Sequence, residues 1–415
     1  MREMKDSGVQ WLGMIPKAWD LDKIVSLYSE RSTKVSDRDY PALSVTKQGI
    51  VPQLESAAKT DNGNNRKLIK RNDFVINSRS DRRGSCGISE YEGSCSLINT
   101  VLAPKNNMIN QYYNYLFKTE LFADEFYKWG NGIVDDLWST KWSSMKNIMV
   151  PFPPLEDQQV IVDYLDIKCT QIDTIIAKEQ AVIEKVQEYR QSIITETVVR
   201  GLSTNDLFKP INCEWIDRIP NGWNLIKFGM ITTIKSNLVS PLDYPNLLQI
   251  SPENIEKDTG NIFGIKTVRE TGIISDNHLF NKGQIIYSKV RPTLNKVIIA
   301  DFDGLCSADM YPIETIVNVK YLVYFMRSKL FVSQVDRISS DRVKMPKINK
   351  MELKQLFCFI PSEEEQKRIV ELLDSKCNKI DKVILEKQVL IDKLTEYKKS
   401  LIYEVVTGKK EVPHV

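Results

Sequence analysis

Arginine and lysine side chains recur beside serine, asparagine and aspartate in several short segments of the sequence. Arginine and lysine neutralise phosphates or pair with guanine edges, and the small polar residues can read other base edges. The clusters therefore predict a nucleic-acid surface, with a solvated loop as the alternative for any single residue. The candidates in the first half are Arg66, Lys67, Ser78, Arg79, Arg82, Arg83, Trp138 and Lys141. Those in the second half are Ser288, Lys289, Arg291, Lys296, Arg337, Arg342, Lys344 and Lys347.

Residues for catalysis or metal binding are sparse by comparison. The only histidines are His278 and His414, and none of the seven cysteines forms a C-x-x-C pair. This spacing argues against a zinc site and against a disulfide framework. The sequence also lacks a phosphate-binding P-loop, a G-x-G-x-x-G fingerprint and a G-x-S-x-G elbow. We therefore expect no catalytic residue, no metal and no cofactor in this chain.

One segment imitates a nuclease motif. Glu352-Leu353-Lys354 has the acid-x-lysine spacing of metal-dependent nucleases, and Asp341 lies upstream. The aligned segment in the other half, residues 144–146, has serine in place of the glutamate. The triplet lies in an amphipathic stretch, so a glutamate on the protein surface is the favoured interpretation.

Length and composition limit the class of protein. At roughly 100–200 residues per domain, 415 residues predict two to four domains. The net charge is only +3, so any nucleic-acid binding must come from local clusters. No apolar run approaches the ~18 residues of a membrane span, and the first residues lack the apolar stretch of a signal peptide. We expect a cytoplasmic protein that does not enter a membrane.

An internal duplication organises the chain. Residues 11–19 (WLGMIPKAW) return as 215–223 (WIDRIPNGW), and Asp-Tyr-Pro at 39–41 returns at 243–245. The strongest match joins residues 153–198 to 361–406, where 21 of 46 aligned positions are identical. Each half therefore has a segment of about 150 residues followed by a long conserved segment, within the usual size of a domain.

The two conserved segments predict long paired helices. Apolar residues step by four and three along each, which keeps one stripe on one face, and charged residues interrupt both stripes at equivalent places. Each helix would be a rod of roughly 68 Å, too long for one small domain to cover, so the two rods are expected to pack on each other rather than each on its own domain. The seam residues are Leu165, Ile172, Ile176, Ile183, Val186, Leu373, Ile380, Ile384, Ile391 and Leu394.

The globular segments combine short strands with helices. Residues 73–78, 284–288 and 296–300 are rich in β-branched and aromatic residues and predict strands, and residues 112–122 and 321–331 predict matching helices. The expected fold class is α+β, with two pseudo-repeated domains separated by two long antiparallel coiled-coil helices. The predicted boundaries are 1–152 for the first domain, 153–202 for the central helix, 203–360 for the second domain, 361–410 for the C-terminal helix and 411–415 for a tail.

Taken together, these residues resemble the specificity subunit of a type I restriction-modification system over nearly the whole chain. The resemblance is carried by the Trp-x₃-Ile-Pro-x-x-Trp segment of each half and by residues 73–85 (DFVINSRSDRRGS). It is also carried by the Pro-Pro-x-Glu-x-Gln start of the first long helix and its second copy at residues 361–366. The combination of a duplicated domain and a duplicated helix is specific to this family.

The resemblance implies a function and a set of partners. Each globular domain would be a target-recognition domain that reads one half of a bipartite site in double-stranded DNA. The helices would pair antiparallel, set the spacer and dock two modification (methyltransferase) subunits, to which restriction (translocase and nuclease) subunits are added. S-adenosylmethionine, ATP and Mg²⁺ would be bound by those partners. The alternative is a coiled-coil scaffold that joins protein partners without reading DNA.

Overall fold

A computed structural model describes residues 2–53, 63–132, 138–202, 207–340, 342 and 345–413. The chain divides into two compact units. Unit 1 comprises Met1–Glu179 and Val389–Val415, and unit 2 comprises Gln180–Gln388. The division falls within both long helices, so each unit contains part of each. No helix in the described ranges is both long enough and apolar enough to cross a membrane.

Unit 1 contains thirteen short strands among its described residues, four short helices and part of each long helix. Its strands are β1 Met4–Asp6, β2 Met14–Pro16, β3 Asp20–Lys23, β4 Tyr28–Glu30, β5 Lys34–Val35, β6 Leu43–Thr46, β7 Gly49–Pro52, β8 Arg66–Ile69, β9 Phe74–Asn77, β10 Cys86–Ile88, β11 Gly93–Cys95, β12 Asn99–Pro104 and β13 Met149–Phe152. Its helices are α1 Ile24–Leu27, α2 Asn110–Phe117, α3 Glu120–Lys128 and α4 Trp142–Met145. The first long helix, α5, spans Leu155–Arg200.

Unit 2 follows the same order. Its strands are β14 Phe208–Pro210, β15 Arg218–Pro220, β16 Asn224–Lys227, β17 Thr232–Ile234, β18 Leu238–Val239, β19 Leu248–Ile250, β20 Lys266–Thr267, β21 Asn277–Phe280, β22 Ile285–Ser288, β23 Val297–Ile299, β24 Gly304–Ser307, β25 Met310–Thr315 and β26 Phe357–Ile360. Its helices are α6 Phe228–Ile231, α7 Val268–Thr271, α8 Val319–Met326, α9 Lys329–Ser339 and α10 Lys350–Gln355. The second long helix, α11, spans Glu363–Val406.

The sheets of the two units have matching strand orders. The central sheet of unit 1 runs β10-β9-β12-β4, and that of unit 2 runs β23-β22-β25-β17. A second sheet runs β11-β8-β5 in unit 1 and β24-β21-β18 in unit 2, where β19 and β20 extend it. The predicted strands at 73–78, 284–288 and 296–300 correspond to β9, β22 and β23. Their apolar side chains lie almost entirely in the protein interior, which explains their β-branched composition.

The helices predicted at 112–122 and 321–331 are wrong in one respect, because each is a pair of helices. In unit 1 the chain breaks between α2 and α3, and the side chain of Thr119 accepts a hydrogen bond from the amide of Phe122. In unit 2 it breaks between α8 and α9, where Ser328 caps the amide of Phe331. A hydroxyl that satisfies a free amide starts a new helix, and the apolar periodicity carried across the break concealed it.

The long helices pair antiparallel within each unit. In unit 1, Lys398 Nζ lies 2.6 Å from Oδ2 of Asp173, and in unit 2, Arg190 Nε lies 3.3 Å from Oδ1 of Asp381. The numbers of both pairs sum to the same value, as a single antiparallel register requires. Of the predicted seam residues, the buried ones are Leu165, Ile172, Ile183, Leu373, Ile380 and Ile391. The partly buried ones, which pack against the unit cores, are Ile176, Val186, Ile384 and Leu394.

The residues shared by the two halves anchor each domain to the start of the following helix. The indole of Trp19 donates a 2.7 Å hydrogen bond to Asp157, and that of Trp223 donates a 3.0 Å hydrogen bond to Glu365. The fully buried Gln158 accepts a hydrogen bond from the amide of Ile109 and donates one to the carbonyl of Pro153, both 2.8 Å. The polar atoms of these duplicated motifs are hydrogen-bonded within the protein, so the motifs stabilise the fold.

A glycine follows the second long helix for a steric reason. Gly408 has a φ of 72°, and a Cβ there would come within 2.9 Å of the Trp19 ring and closer still to Pro16. Glycine is therefore required after this helix both by the left-handed backbone and by the close packing. The α+β fold with two repeated domains and a paired long helix after each is confirmed.

Candidate nucleic-acid interface

In the first domain, two of the predicted basic segments are joined by backbone hydrogen bonds. The amide of Thr140 donates to the carbonyl of Ser78 over 3.0 Å, and the amide of Ser80 donates to that of Trp138 over 3.1 Å. Arg79 and Ser139 form an antiparallel bridge between them. The loop after β9 is therefore fastened to the segment before α4, and two stretches separated by about sixty residues form one surface.

The cations of this surface differ in how they are held. Arg79 and Lys141 are exposed, and among the described residues neither has a carboxylate within salt-bridge distance. Arg82 is exposed beside Asp81, with 3.4 Å between the charged groups. Arg83 pairs with Asp124 and lies 6.0 Å from the centre of the Tyr127 ring.

Trp138 supports this surface from beneath, because its indole donates a 2.8 Å hydrogen bond to the carbonyl of Tyr127. The ring is only partly exposed and packs close to the backbone of Gly130, where a Cβ would meet the indole nitrogen. Trp138 therefore holds the loop in place, which is a different role from the stacking on bases that an exposed tryptophan offers.

Three candidates of the first half point into the protein instead. Arg66 is 6% exposed, and its guanidinium donates to the hydroxyl and the carbonyl of Ser94. Lys67 donates to the carbonyl of Asn99 over 2.9 Å, and Ser78 is buried with its hydroxyl on the carbonyl of Ile98. These interactions withdraw Arg66 and Ser78 from the accessible surface, because buried polar groups take their partners from the protein.

The second domain has an equivalent surface at the end of β22. The amide of Arg291 donates to the carbonyl of Pro346 over 2.8 Å, and the amide of Ile348 donates to that of Lys289 over 3.0 Å. Val290 and Lys347 form an antiparallel bridge. The loop after β22 is therefore fastened to the segment before α10, as the loop after β9 is fastened to the segment before α4.

The backbone of this second loop is conformationally unusual. Arg291 and Asn295 flank a single helical turn at 292–294, and their φ angles are 44° and 47°. Residues other than glycine seldom adopt these angles, which cost about 1–3 kcal/mol each and occur preferentially at binding sites. Arg291 is exposed at the tip of the loop, whereas Asn295 is buried beneath it.

Lys350, which was not among the residues predicted from the sequence, also belongs to the second surface. The ammonium groups of Lys289 and Lys350 lie 5.3 Å and 5.6 Å from the centre of the Tyr311 ring. Burial lowers the pKa of Lys350, and the charges of Lys289 and Lys354 act in the same direction. The spacing of Lys344, Lys347, Lys350 and Lys354, by threes and a four, was the signal available in the sequence.

The remaining second-half candidates are engaged with the protein. Ser288 is buried, and its hydroxyl donates to the carbonyl of Val290 over 3.0 Å. Lys296 donates to the carbonyl of Pro252 over 2.6 Å, and Lys347 pairs with Asp309 at 3.0 Å. Arg337 pairs with Glu214 and lies over the ring of Trp215. Lys344 lies outside the described residues.

The nuclease-like triplet has a structural explanation. Glu352 closes a capping box with Asn349 at the start of α10, and its carboxylate also pairs with Arg342. Burial would raise the pKa of Glu352, but the hydrogen bonds from Arg342 and Asn349 outweigh that effect and hold the pKa below its usual value. Asp341 lies outside the described residues. Across the described ranges, no three His, Cys, Asp or Glu side chains are arranged to hold a metal ion.

The arrangement in both domains suits contact with a polyanion. The loop after β9 presents the exposed cations Arg79, Arg82 and Arg83, and the loop after β22 presents the exposed Arg291 with the half-buried Lys289. Ordered strands hold each loop at both ends. Such a loop can place charges against phosphates while a neighbouring side chain reaches a base edge. The surfaces are similar in framework and different in residues.

Comparison with known proteins identifies the family. The family model described as the type I restriction modification DNA specificity domain matches residues 29–185 and 232–391. The chain belongs to this family. The two matches cover most of each globular segment and run into both long helices, as the duplication in the sequence predicted.

Relatives and a solved structure agree with this membership. The Escherichia coli EcoDI specificity subunit is 31% identical over 310 residues, which are 68% of this chain and 70% of the relative. The Methanocaldococcus jannaschii MjaVIII specificity subunit is 23% identical over 97% of this chain and 95% of its own. A chain from a structural study of type I restriction-modification assembly and conformational transition aligns at 12% identity with a TM-score of 0.71. That alignment covers 95% of this chain and 99% of the other, and it shows a common fold.

Proposed function

We propose that this chain is the DNA-recognition subunit of a type I restriction-modification complex, and that each domain reads one half of a bipartite site. The observation that carries the proposal is the equivalent placement of two basic loops, one after β9 and one after β22. Backbone hydrogen bonds fasten the first loop to the segment before α4 and the second loop to the segment before α10. Membership of the DNA specificity-domain family supports double-stranded DNA as the ligand of both loops.

The candidate contacts fall into two groups. Arg79, Arg82 and Lys141 would contact DNA in the first domain, and Lys289 and Arg291 would do so in the second, because these side chains are exposed or partly exposed. Contacts with phosphates position the duplex, whereas contacts with base edges give sequence selectivity. Lys350 supports the second group, since its charge adds to the positive potential around Lys289.

Catalysis in the complex would belong to other chains. We propose two modification subunits that bind S-adenosylmethionine, and restriction subunits that use ATP and Mg²⁺, with the whole assembly in the cytoplasm. This chain would hold no cofactor of its own. A net charge of only +3 supports this division, because phosphate contacts from partner subunits would supplement those from the two loops.

The helix pair would set the spacing between the half-sites and dock the modification subunits. Support comes from the apolar seam and from the antiparallel ion pairs Lys398–Asp173 in unit 1 and Arg190–Asp381 in unit 2. A paired rod resists changes in length and direction better than a flexible linker, which makes it a suitable spacer.

Exchange of one domain tests independent reading. Residues 20–140 are replaced by the corresponding part of a related subunit, and methylated adenines are mapped by single-molecule sequencing of DNA from cells that express the complex. One half of the methylated motif is expected to change while the other half is retained. The matched exchange of residues 224–348 is expected to change the other half.

Two outcomes would contradict the proposal. If both halves of the motif changed in either exchange, the domains would not read independently. If the unexchanged complex showed neither a methylated motif nor salt-dependent, sequence-selective binding to DNA, the chain would be a scaffold that joins protein partners without reading DNA.

A further inference from the structure

Unit 2 contains a cavity of about 360 Å³ whose lining includes no residue of the basic loop at 289–296. Its walls come from the second part of α5, the first part of α11, the end of α8 and the loop at residues 259–262. A cavity of this volume is within the range that accommodates small ligands. Its charged lining consists of three cations, Arg190, Arg327 and Lys320, and three carboxylates.

The two arginines are poorly satisfied by the protein. Arg190 is 7% exposed, and its Nη1 donates a 3.4 Å hydrogen bond to the carbonyl of Asp258. Its buried Nε has no hydrogen-bond acceptor, although an oxygen of Asp381 lies 3.3 Å away. The Nε of Arg327 is also buried without an acceptor. The guanidinium of Arg327 donates a 3.0 Å hydrogen bond to the carbonyl of Val297, and it forms no ion pair with any described carboxylate. Buried guanidinium groups without acceptors are costly.

Three carboxylates line the cavity, Asp301, Asp374 and Asp381, and none of them lies within ion-pair distance of Arg327. Asp374 forms a 2.7 Å ion pair with Lys320 and accepts a 2.7 Å hydrogen bond from the hydroxyl of Tyr324. Asp381 forms an ion pair with Arg190. Burial lowers the pKa of Arg327 to about 10, and repulsion from Arg190 contributes to the shift. Arg327 remains charged at neutral pH, because that value is still well above 7. A negative charge between the two arginines would relieve both effects.

The backbone around Arg327 is adapted to this packing. Gly260 has a φ of 73°, and a Cβ at this position would collide with the Arg327 guanidinium and with the carbonyl of Val297. Glycine therefore lets the loop at 259–262 close over the arginine, which forms one wall of the cavity. The site is assembled from elements that are far apart in the sequence.

The corresponding place in unit 1 keeps the tyrosine–aspartate hydrogen bond, there from Tyr115 to Asp166, but it lacks the two arginines. Arg327 follows α8 as Lys118 follows α2, and Lys118 is exposed. Arg190 corresponds to Lys398, whose ammonium contacts both carboxylate oxygens of Asp173 at 2.7 and 2.6 Å. The duplicated framework thus carries a pair of undersatisfied arginines in only one of its two copies among the described residues.

We infer that this cavity of unit 2 binds a phosphate group, either as inorganic phosphate or as the phosphate of a small phosphomonoester, held between Arg190 and Arg327. A guanidinium presents parallel N–H donors that match the oxygens of phosphate, and a dianion neutralises two such groups at once. Binding would fasten α8 and the loop at 259–262 to the helix pair of unit 2. The inference does not depend on DNA recognition, since it concerns a different surface.

The test measures thermal unfolding of the full chain without DNA, in sodium phosphate or in sodium chloride of equal ionic strength. At several times the dissociation constant, phosphate is expected to raise the Tm by about 2–4 °C relative to chloride. The Arg327→Gln variant is expected to lose this difference. A parallel series with adenosine 5′-monophosphate identifies the source of the group: a shift with both ligands indicates a site open to free phosphate, and a shift with the nucleotide alone indicates a phosphomonoester site.

Control variants separate the cavity from other effects. Lys118→Gln removes the equivalent cation of unit 1 and Lys289→Gln removes a cation of the basic loop, and both are expected to keep the shift. General salting-out by phosphate acts on every variant alike and so cannot mimic this pattern. If Arg327→Gln does not fold, Arg327→Lys retains the charge with fewer fixed donors, and its apparent affinity for phosphate is expected to fall about tenfold.

Several outcomes would overturn the inference. Equal Tm values of the wild-type chain in phosphate, nucleotide and chloride would show that the cavity binds no phosphate. A shift retained by Arg327→Gln would place any bound phosphate elsewhere, and a shift lost in Lys289→Gln would place it on the basic loop. None of these outcomes bears on the methylated motif, which tests the proposed function separately.

Discussion

The loops after β9 and β22 occupy equivalent positions in the two domains but present different groups. The first carries exposed arginines at 79 and 82 on regular backbone, whereas the second carries Lys289 and Arg291 on a turn with left-handed residues at both ends. The scaffold beneath them is the same, down to the strand order of the central sheet. The framework is thus duplicated as a unit, while the exposed side chains that it carries differ between the two copies.

The largest expected effect comes from changing the length of the shared framework. Seven residues are inserted between Ile176 and Ala177 in α5, and seven between Leu394 and Thr395 in α11, which preserves the heptad pattern. The added rod is roughly 10 Å long at 1.5 Å per residue, and this corresponds to about three base pairs. The methylated motif is expected to keep both halves and to lengthen its spacer by about three base pairs.

Insertion of four residues at the same two places is the control. It breaks the seven-residue repeat and turns the stripe away from its partner, so complex assembly or methylation is expected to fail. An unchanged spacer with full activity in the seven-residue variant would show that the helices do not set the distance.

The next effect tests whether the two frameworks are energetically equivalent. Trp19→Ala and Trp223→Ala each empty a fully buried site and remove a hydrogen bond to the following helix. Each is expected to lower the free energy of unfolding by about 3–5 kcal/mol. Denaturant unfolding, followed for both variants under the same conditions, measures the two losses. A large loss for one and almost none for the other would mean that the duplicated motif serves only one domain.

A smaller loss of stability is expected when the equivalent buried glutamines of the two domains are replaced. Gln158 bridges Ile109 and Pro153, and Gln366 bridges Asn318 and Pro361 with hydrogen bonds of 2.9 and 3.0 Å. Gln158→Ala and Gln366→Ala leave buried backbone groups without partners, at a cost of about 1–3 kcal/mol each. Thermal unfolding should show similar decreases in Tm, and Gln158→Glu should also be destabilising because it replaces the amide donor. Wild-type stability in both alanine variants would refute the anchoring role.

The smallest effect concerns the divergent loops. Arg79→Ala and Lys289→Ala are each expected to weaken DNA binding by the assembled methylase without disturbing assembly, and a lost phosphate contact reduces the salt slope by about 1. A base contact would instead relax the motif at one position. Arg66→Ala is not a suitable control, because Arg66 is buried; Lys118→Ala is suitable, since Lys118 is exposed outside both loops. Unchanged affinity in both loop variants would favour solvated loops.

Periodicity and duplication in the sequence were sufficient to predict the fold class and the long helices. The four-three spacing of Leu165, Ile172 and Ile176 defines one face of a helix, and this is a local property of the chain. The duplication of 153–198 in 361–406 predicts equal helices for the same reason. The break at Thr119 was missed because a cap acts on a single amide and leaves the apolar pattern undisturbed.

Which basic residues reach the surface was decided by tertiary structure alone. Arg66 and Arg79 look alike in the sequence, but Arg66 finds the hydroxyl and carbonyl of Ser94 on a neighbouring strand and is buried, while Arg79 remains exposed. In the same way, the sequence shows Arg190 only as one charge on a long helix. In the folded protein, Arg327 at the end of α8 lines the same cavity as Arg190. The sequence determines local periodicity and the inventory of charges. The partner of each charge comes from a distant part of the chain, and for that reason only the folded structure determines which charges are available to a ligand.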